Sequence, residues 1–290
     1  MSGQRRRTDA AHSPLHTRAE RGAHVASHVS ANVVVRVVKI GGRAQGDPAL
    51  LTRLRAAIET PGARVVVVHG GGDEVSALQR QMGVEPQFIG GRRVTSAQDL
   101  DAVRMVLSGT VNKRLVAQLA TAGVRAVGIS GEDGGLLTAR VADATYGRVG
   151  ADVQADATLI ADLLNADWVP VISPLGRDRE STQGLGLNVN GDDAAAAIAA
   201  GLGADELLFV ADVPGVLEDG VVLRGIDTAA IESLATRGIA KGGMLAKLEA
   251  AVQALRNGVR RVRIAALDGI TDASVGTSIT LSTTSSRDTA

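Results

Sequence analysis

The strongest constraint on the fold is a series of apolar runs, rich in β-branched residues, that alternate with helical patterns. The first two runs, residues 33–40 and 64–69, end directly in glycines, and a helical pattern follows each. A strand that is buried on both faces reads as a continuous apolar run, and parallel strands need a crossover that is usually a helix. The alternation therefore predicts an α/β fold, a three-layer αβα sandwich around a mainly parallel open sheet. We expect strands at 33–40, 64–69, 124–130, 168–172, 206–210 and 260–265, and helices at 47–58, 73–82, 96–122, 158–165, 192–202 and 243–257.

Composition excludes several classes of function. The chain has 290 residues, 31 Lys+Arg against 31 Asp+Glu, and only two Phe, one Tyr and one Trp. It therefore lacks the basic face and the stacking aromatics of a nucleic-acid binder. With no cysteine, disulfides, zinc–thiolate sites and a thiol nucleophile are excluded. The longest apolar stretch, residues 194–204, is too short to span a bilayer. We expect a cytoplasmic protein with no nucleic-acid and no membrane partner.

The N-terminal segment differs from the rest of the chain. Residues 1–31 carry five arginines and four of the five histidines without a hydrophobic period, which predicts a disordered N-terminal extension. A polar, glycine-containing segment at 174–187 marks a softer boundary. It divides the remainder into a lobe at 32–175 and a lobe at 176–290.

Two consecutive predicted strands end in glycine turns, Lys39-Ile40-Gly41-Gly42 and His69-Gly70-Gly71-Gly72. Glycines after a strand let backbone N–H groups approach an anion, and the helix N-terminus beyond adds partial positive charge. Neither a P-loop nor a dinucleotide-binding glycine pattern is present, so the anion site is of another type. Only four of the 31 basic residues are lysine, and Lys241 and Lys247 also adjoin a glycine pair. The retained lysines are candidates for places that need a compact ammonium group.

Three further segments carry polar groups at predicted turns. Arg92 and Arg93 stand in a glycine loop, where a guanidinium could hold a carboxylate or be a solvated loop charge. Residues 188–193 place two asparagines and two aspartates before a helix, more than a turn and one N-cap require. Asp192 could hold a lysine ammonium in place or lie near a metal–nucleotide complex. Residues 211–217 end a strand where a nucleotide would lie, and residues 239–244 could clamp a phosphate at a helix start.

Seven motifs together resemble the amino acid kinase family, most closely its N-acetylglutamate kinase branch. They occur in the family's order across roughly residues 33–280, and the ordered set is far more specific than any one motif. The motifs are Lys39-Ile40-Gly41-Gly42, His69-Gly70-Gly71-Gly72, Gly91-Arg92-Arg93-Val94-Thr95, Gly109-Thr110-Val111-Asn112-Lys113, Asn188-Val189-Asn190-Gly191-Asp192, Asp212-Val213-Pro214-Gly215-Val216-Leu217 and Gly242-Gly243-Met244-Leu245-Ala246-Lys247.

The resemblance implies a role for each matching residue. Lys39 and Lys247 would neutralise charge on the transferred phosphoryl group, with Asp192 orienting them. Backbone donors to phosphoryl oxygens and substrate would come from Gly41, Gly42, Gly71 and Gly72. The carboxylates of the acylated amino acid would be held by Arg93 and Asn188. The ATP site would be lined by Asp212, Val213, Pro214, Gly215, Val216, Leu217, Ile239, Ala240 and Lys241.

The resemblance also implies a reaction, the ATP-dependent phosphorylation of the side-chain carboxylate of N-acetyl-L-glutamate to N-acetyl-L-glutamyl 5-phosphate, in L-arginine biosynthesis. Mg²⁺ would be carried mainly by the ATP phosphates, with no metal site built from the chain. Residues 32–175 would bind acylglutamate and form a homodimer, and residues 176–290 would bind ATP. Two alternatives stay open. One is a kinase for aminoadipate or glutamate linked to a carrier protein in lysine or ornithine biosynthesis, and the other is a non-catalytic amino-acid or nucleotide sensor on the same fold.

Overall fold

A computed structural model describes residues 33–282 of the chain, so the predicted disordered extension at 1–31 lies outside the described residues. The strands are β1 (Val34–Ile40), β2 (Ala63–His69), β3 (Phe88–Ile89), β4 (Arg92–Arg93), β5 (Ala126–Ser130), β6 (Leu137–Val141), β7 (Val149–Ala155), β8 (Val169–Ser173), β9 (Leu175–Asp178), β10 (Gly186–Val189), β11 (Glu206–Val210), β12 (Leu217–Glu218), β13 (Val221–Val222), β14 (Gly225–Asp227), β15 (Arg261–Ala265) and β16 (Thr277–Thr280).

The α-helices are α1 (Ala49–Ile58), α2 (Gly72–Gln81), α3 (Ala97–Arg104), α4 (Asn112–Thr121), α5 (Thr158–Asn165), α6 (Gly191–Leu202), α7 (Thr228–Thr236) and α8 (Gly243–Arg256). Short 3₁₀ turns lie at Arg43–Gly46, Asp133–Gly135, Ala144–Tyr146 and Leu267–Ile270. A π-helical segment, Met105–Val111, joins α3 to α4, so the helical region predicted at 96–122 is a single run with an altered turn in its middle. No helix within residues 33–282 is long and apolar enough to cross a membrane.

The central sheet confirms the predicted α/β class. Within residues 33–282 it has eight strands in the order β14-β16-β15-β11-β1-β2-β8-β5. Neighbouring strands from β15 to β5 all pair in parallel, and β16 reverses direction against β15. Because parallel strands present their carboxyl ends at one edge, the ends of β1, β2 and β11 lie side by side there.

The two faces of the sheet are covered by different helices, which makes the fold a three-layer sandwich. Val35 and Val37 of β1 belong to an apolar cluster with residues of α5, α6 and α8. Val38 and Ile40 belong to a second cluster with residues of α1 and α4. Successive side chains of a strand alternate between faces, so Lys39 shares the face of Val37 and points toward α6.

A four-stranded closed barrel stands beside the main sheet and was missed in the sequence analysis. Its strands are β10, β7, β6 and β9. They mix apolar with charged or glycine residues, as in the sequences Leu175–Asp178 and Gly186–Val189, so they lack the apolar runs that reveal the central strands. The segment 174–187, taken as a softer boundary, forms much of the hairpin between β9 and β10. The division of the chain at residue 175 stays a prediction.

Candidate active site

Two lysines and one aspartate meet where β1, α6 and α8 converge. The Lys39 ammonium lies 2.8 Å from Asp192 Oδ1, and the Lys247 ammonium lies 3.1 Å from Asp192 Oδ2. Lys39 and Asp192 are buried, with 7% and 4% of their surfaces exposed. One carboxylate therefore bridges two ammonium groups that come from elements far apart in the sequence. We call these three residues the Lys–Asp–Lys cluster.

The start of α6 explains how Asp192 reaches this position. The Asn190 side chain is the N-cap of α6 and accepts a hydrogen bond of 2.8 Å from the Asp192 backbone N–H. Gly191 packs directly on Lys39, since a Cβ at residue 191 would lie 3.2 Å from Lys39 Cε. A larger residue there would displace the lysine. The asparagine and glycine before Asp192 thus serve as a cap and a close-packing surface.

Burial and charge act against each other at the Lys–Asp–Lys cluster. Burial alone would raise the pKa of Asp192, but Lys39 and Lys247 outweigh it and hold that pKa below its ordinary value. The pKa of Lys39 is lowered by burial and by the charge of Lys247, although Asp192 opposes the shift. Asp192 is therefore a carboxylate at neutral pH, and the cluster with both ammonium groups charged carries one excess positive charge.

The two glycine turns lie against each other beside this cluster. A Cβ at Gly70 would be 3.6 Å from the Gly42 nitrogen, and one at Gly42 would be 4.0 Å from the Gly71 nitrogen. Within residues 33–282 the N–H groups of Gly42 and Gly71 donate to no protein oxygen. Free N–H groups at a strand-to-helix turn form a binding surface for an anion.

The Lys–Asp–Lys cluster and the glycine turns border one cleft of about 350 Å³. Of the residues predicted from sequence, the cleft is lined by Lys39, Gly41, Gly42, Gly72, Asp212, Val213 and Lys247. Gly243 and Met244 of the seventh motif line it as well, and so do Arg43 and Asp73, which the sequence analysis missed. Arg43 follows the first glycine turn, and Asp73 follows the second, so position next to a glycine turn was the available signal.

Comparison with known proteins identifies the family. The sequence profile of the amino acid kinase family matches residues 35–266. The chain belongs to the amino acid kinase family.

Similar sequences to this amino acid kinase include acetylglutamate kinases. The acetylglutamate kinase of Chloroflexus aurantiacus is 43% identical over 241 residues, which are 82% of this chain and 94% of the relative. The acetylglutamate kinase of Methanopyrus kandleri is 45% identical over 216 residues, 71% of this chain and 87% of the relative. The crystal structure of smu.665 from Streptococcus mutans superposes with a TM-score of 0.76 at 32% identity, over 85% of this chain and 98% of that one.

In this amino acid kinase the predicted substrate residues Arg93 and Asn188 lie near the second glycine turn. Arg93 Nη2 donates to the Gly72 carbonyl at 2.7 Å and to Ser76 Oγ at 2.8 Å, and Nη1 donates to Gln79. The Asn188 side chain donates to Thr95 Oγ1 at 3.0 Å, two residues beyond Arg93. Three of the five guanidinium donors are engaged within residues 33–282, which leaves the Nε–H and one Nη1–H for another acceptor.

Most residues predicted for the nucleotide site do not line the cleft. Asp212 and Val213 line it, but the other seven do not, and two of these seven, Val216 and Ala240, are buried in the core. The Val216 N–H donates to Thr277 Oγ1 at 2.8 Å. Also absent from the cleft lining are Pro214, Gly215, Leu217, Ile239 and Lys241. Their assignment to the nucleotide stays a prediction.

A larger cavity of about 480 Å³ adjoins the cleft on the α1 side and shares Arg43, Ala211 and Asp212 with it. Its charged groups are already paired. Arg43 lies 3.2 Å from Asp212, and Arg53 contacts Asp268. A polyphosphate would gain little from arginines that already face carboxylates. The smaller cleft, with the Lys–Asp–Lys cluster and the free N–H groups beside it, is the better anion site.

Proposed function

We propose that this chain transfers the γ-phosphoryl group of ATP to the side-chain carboxylate of N-acetyl-L-glutamate, giving N-acetyl-L-glutamyl 5-phosphate and ADP. The observation that carries this function is the Lys–Asp–Lys cluster at the edge of a glycine-lined cleft. The proposed function is also supported by two acetylglutamate kinases that are 43% and 45% identical to this chain. The product is the acyl phosphate of L-arginine biosynthesis.

The charges of the cleft suit this reaction. A carboxylate oxygen attacks the γ-phosphorus while the bond from phosphorus to the β,γ-bridging oxygen breaks, so two anions must be brought together. Catalysis then consists of positioning and neutralisation of charge. Lys39 and Lys247 supply that neutralisation, and Asp192 keeps both ammonium groups in place. Because a carboxylate is ionised at neutral pH, no general base is required.

We infer the remaining roles from position. Gly42 would donate to phosphoryl oxygens, and Gly71 and Gly72 would donate to the substrate. The role predicted for Gly41 needs correction, because its N–H already donates to the Val210 carbonyl at 3.3 Å. The free donors of Arg93 suit a carboxylate of the acylated amino acid, with Asn188 of β10 connected to this region through Thr95. Adenine and ribose would extend from the cleft along the segments 212–217 and 239–241, and aliphatic side chains would contact the base.

Mg²⁺ would enter with the nucleotide and offset charge on the β- and γ-phosphates. Two carboxylates, Asp73 and Asp212, line the cleft, and no group of three or more His, Cys, Asp or Glu side chains converges within residues 33–282. Such a donor set fits an ion held mainly by phosphate oxygens and water rather than by a cage of protein ligands. Asp73 and Asp212 are the residues that could contact it or its waters.

The test is a hydroxylamine-trapping assay, since hydroxylamine converts an acyl phosphate to a stable hydroxamate. Protein and Mg-ATP are incubated separately with N-acetylglutamate, N-succinylglutamate, glutamate and aminoadipate. We expect hydroxamate from N-acetylglutamate alone, and its loss in Lys247→Ala. Arg125→Ala is the matched control, because Arg125 stacks on Trp168 with its guanidinium carbon 4.6 Å from the ring centre and lies outside the cleft.

Each other result would assign the site differently. Inactivity on every free acid with retained ATP binding would indicate a carrier-linked substrate. Absence of ATP binding as well would indicate a sensor. Hydroxamate from N-succinylglutamate alone would indicate a succinylated substrate for the same phosphoryl transfer.

We also propose that the protein acts as a homodimer formed through residues 32–175. Large apolar side chains on this half of the chain are exposed, namely Met105, Phe88 and Ile89 at 53%, 54% and 46%. Light scattering after gel filtration should give twice the chain mass of 29.6 kDa. A mass of one chain would contradict the proposal.

A further inference from the structure

All three carbonyl groups of the second glycine turn are engaged by the protein. The Gly70 carbonyl accepts from Gln45 Nε2 at 3.0 Å and from His69 Nδ1 at 2.8 Å. The Gly71 carbonyl accepts from the Val75 N–H at 3.1 Å, and the Gly72 carbonyl from Arg93 Nη2. The turn is therefore held through its oxygens, while the Gly71 N–H has no acceptor within residues 33–282.

The bonds to the Gly70 carbonyl determine where the next N–H points. The peptide bond between Gly70 and Gly71 is trans, so the Gly70 carbonyl and the Gly71 N–H point in opposite directions. Gly71 has φ +151°, a region open to glycine, and a glycine turn can rotate this peptide plane at little cost. Two donors on the Gly70 oxygen, from Gln45 and His69, oppose that rotation.

His69 is itself held in one neutral tautomer by a buried chain of hydrogen bonds. A carbonyl oxygen only accepts, so the Nδ1 that faces the Gly70 carbonyl carries the proton. Its Nε2 then accepts from Asn112 Nδ2 at 3.1 Å. The same Asn112 amide donates to the Val171 carbonyl at 2.9 Å, and its Oδ1 accepts from Lys113 Nζ at 3.0 Å. His69 and Asn112 are fully buried, so the tautomer is held without water.

Gln45 connects the two glycine turns. It lies in the 3₁₀ turn that directly follows Gly41 and Gly42, and its amide crosses to the Gly70 carbonyl at the end of the neighbouring strand. A shift of the first turn would therefore change the support of the second. The two sets of free N–H groups are coupled through this one side chain.

We propose that Gln45 and His69 are positioning residues that orient the Gly71 N–H toward the carboxylate of the acylated amino acid. This inference rests on the proposed function. Neither side chain needs to touch the substrate. Both act through the Gly70–Gly71 peptide plane, and Asn112 acts one step further away by setting the His69 tautomer.

The experiment compares Gln45→Leu, His69→Leu, His69→Asn and the double variant Gln45→Leu/His69→Leu with the full-length wild type. Hydroxamate kinetics give kcat and the KM values for N-acetylglutamate and ATP, and calorimetry gives the Kd for N-acetylglutamate. Gln118→Leu is the control, because Gln118 is an exposed glutamine of α4. Thermal unfolding and circular dichroism verify that each variant is folded.

We expect each single Leu variant to lower kcat/KM for N-acetylglutamate about tenfold, because one donor remains on the Gly70 carbonyl. The double variant should lower it about 100-fold, which is the effect of losing one preorganised N–H donor. The KM for ATP should stay within about twofold, since a ground-state contact to ATP is not removed. His69→Asn should recover most of the activity, because its amide N–H can replace the Nδ1–H.

Wild-type kinetics in Gln45→Leu and His69→Leu would overturn the positioning role. So would equal losses in His69→Asn and His69→Leu together with a fall in Tm, because that pattern belongs to core packing. If the wild type binds N-acetylglutamate without phosphorylating it, the proposed function fails, and weaker binding in Gln45→Leu still supports the positioning role. If the wild type neither binds nor phosphorylates it, both are overturned.

Discussion

Two buried clusters of charge share strand β1 but lie on opposite faces of the sheet. The Lys–Asp–Lys cluster lies on the α6 face. The second, which we call the Glu206 cluster, joins Glu206 of β11 to Arg36 of β1 and Arg263 of β15, each with its Nε 2.7 Å from a carboxylate oxygen. Glu206 and Arg263 are each 1% exposed. Each cluster gathers cations around one buried carboxylate, with the half-exposed Arg261 as a third partner of Glu206, and the clusters differ in what the cations have left to donate.

In the Glu206 cluster the fully buried cation, Arg263, uses four of its five donors on protein oxygens within residues 33–282. Besides Glu206, Arg263 donates to the carbonyl oxygens of Gly269, Val275 and Asp272, at 2.8, 2.9 and 3.2 Å. Arg36 also donates to the Ile270 carbonyl, at 3.1 Å. These bonds hold the segment after β15 against the sheet. A planar guanidinium with five donors suits such a structural role.

The Lys–Asp–Lys cluster is unsaturated. An ammonium group has three donors. Within the part of the chain that the structure describes, Lys247 donates one hydrogen bond to Asp192 Oδ2, and Lys39 forms an ion pair with Oδ1, which accepts no hydrogen bond. The remaining donors lie at the lining of the cleft. The two clusters are therefore similarly buried but have different roles. Arg263 spends most of its donors on protein oxygens and so stabilises the fold, whereas Lys39 and Lys247 keep most of their donors for a ligand in the cleft.

The largest expected effect is on catalysis, from Lys39→Met. This change removes a cation beside the transferred phosphoryl group, and we expect kcat to fall about 10³-fold, the upper range for one electrostatic contact in a closed site. Because Lys247 still pairs with Asp192, the free energy of unfolding should change less than in Glu206→Gln. Steady-state kinetics and thermal unfolding measure both. A variant with wild-type kcat would remove Lys39 from the reaction.

The Glu206 cluster should show the reverse pattern. Glu206→Gln leaves Arg263 charged and buried without its carboxylate, and we expect a loss of about 3–5 kcal/mol in the free energy of unfolding. The kcat of the folded protein should be unchanged. Urea unfolding and kinetics at a permissive temperature test this. The control is Arg261→Gln, because the Arg261 side chain is about half exposed and 3.3 Å from Glu206, and its loss should cost less than about 1 kcal/mol.

His69 adds a buried ionisable group that is neutral rather than paired. Burial lowers the pKa of His69 to about 4 from 6.5. Between those pH values the unfolded chain binds a proton that the folded chain does not, so stability falls as the pH drops from 6.5 to 4. The loss attributable to His69 should reach about 3 kcal/mol near pH 4. Unfolding curves against pH for wild type and His69→Asn measure it, and parallel curves would contradict it.

An exposed ion pair should give the smallest effect and a baseline for the others. Arg55 Nε lies 2.8 Å from Glu59 Oε1 at the end of α1, and more than half of each side chain is exposed. We expect Glu59→Gln to change the free energy of unfolding by less than about 0.5 kcal/mol, an effect that salt removes. Urea unfolding at two salt concentrations tests it. A loss as large as that of Glu206→Gln would mean that burial does not separate these pairs.

Much of the fold was readable from local pattern. Val34–Ile40 and Glu206–Val210 are strands because their apolar residues are buried on both faces, and helix α1 begins where Asp47 accepts a hydrogen bond of 2.8 Å from the Ala49 N–H. The barrel strands were missed because they mix apolar with charged or glycine residues. Their pairing depends on residues distant in sequence, such as Asn188 opposite Val149.

The sequence by itself determined six strands of the central sheet and most of the helices that cover it, the two glycine turns, and the retention of lysine at Lys39 and Lys247 in a chain that mostly uses arginine. These are local properties of backbone conformation and residue type. Only the tertiary structure decided that both lysines meet Asp192 and that Gln45 reaches the Gly70 carbonyl. Those contacts depend on the face to which each strand residue points and on the parallel register that brings the strand ends to one edge.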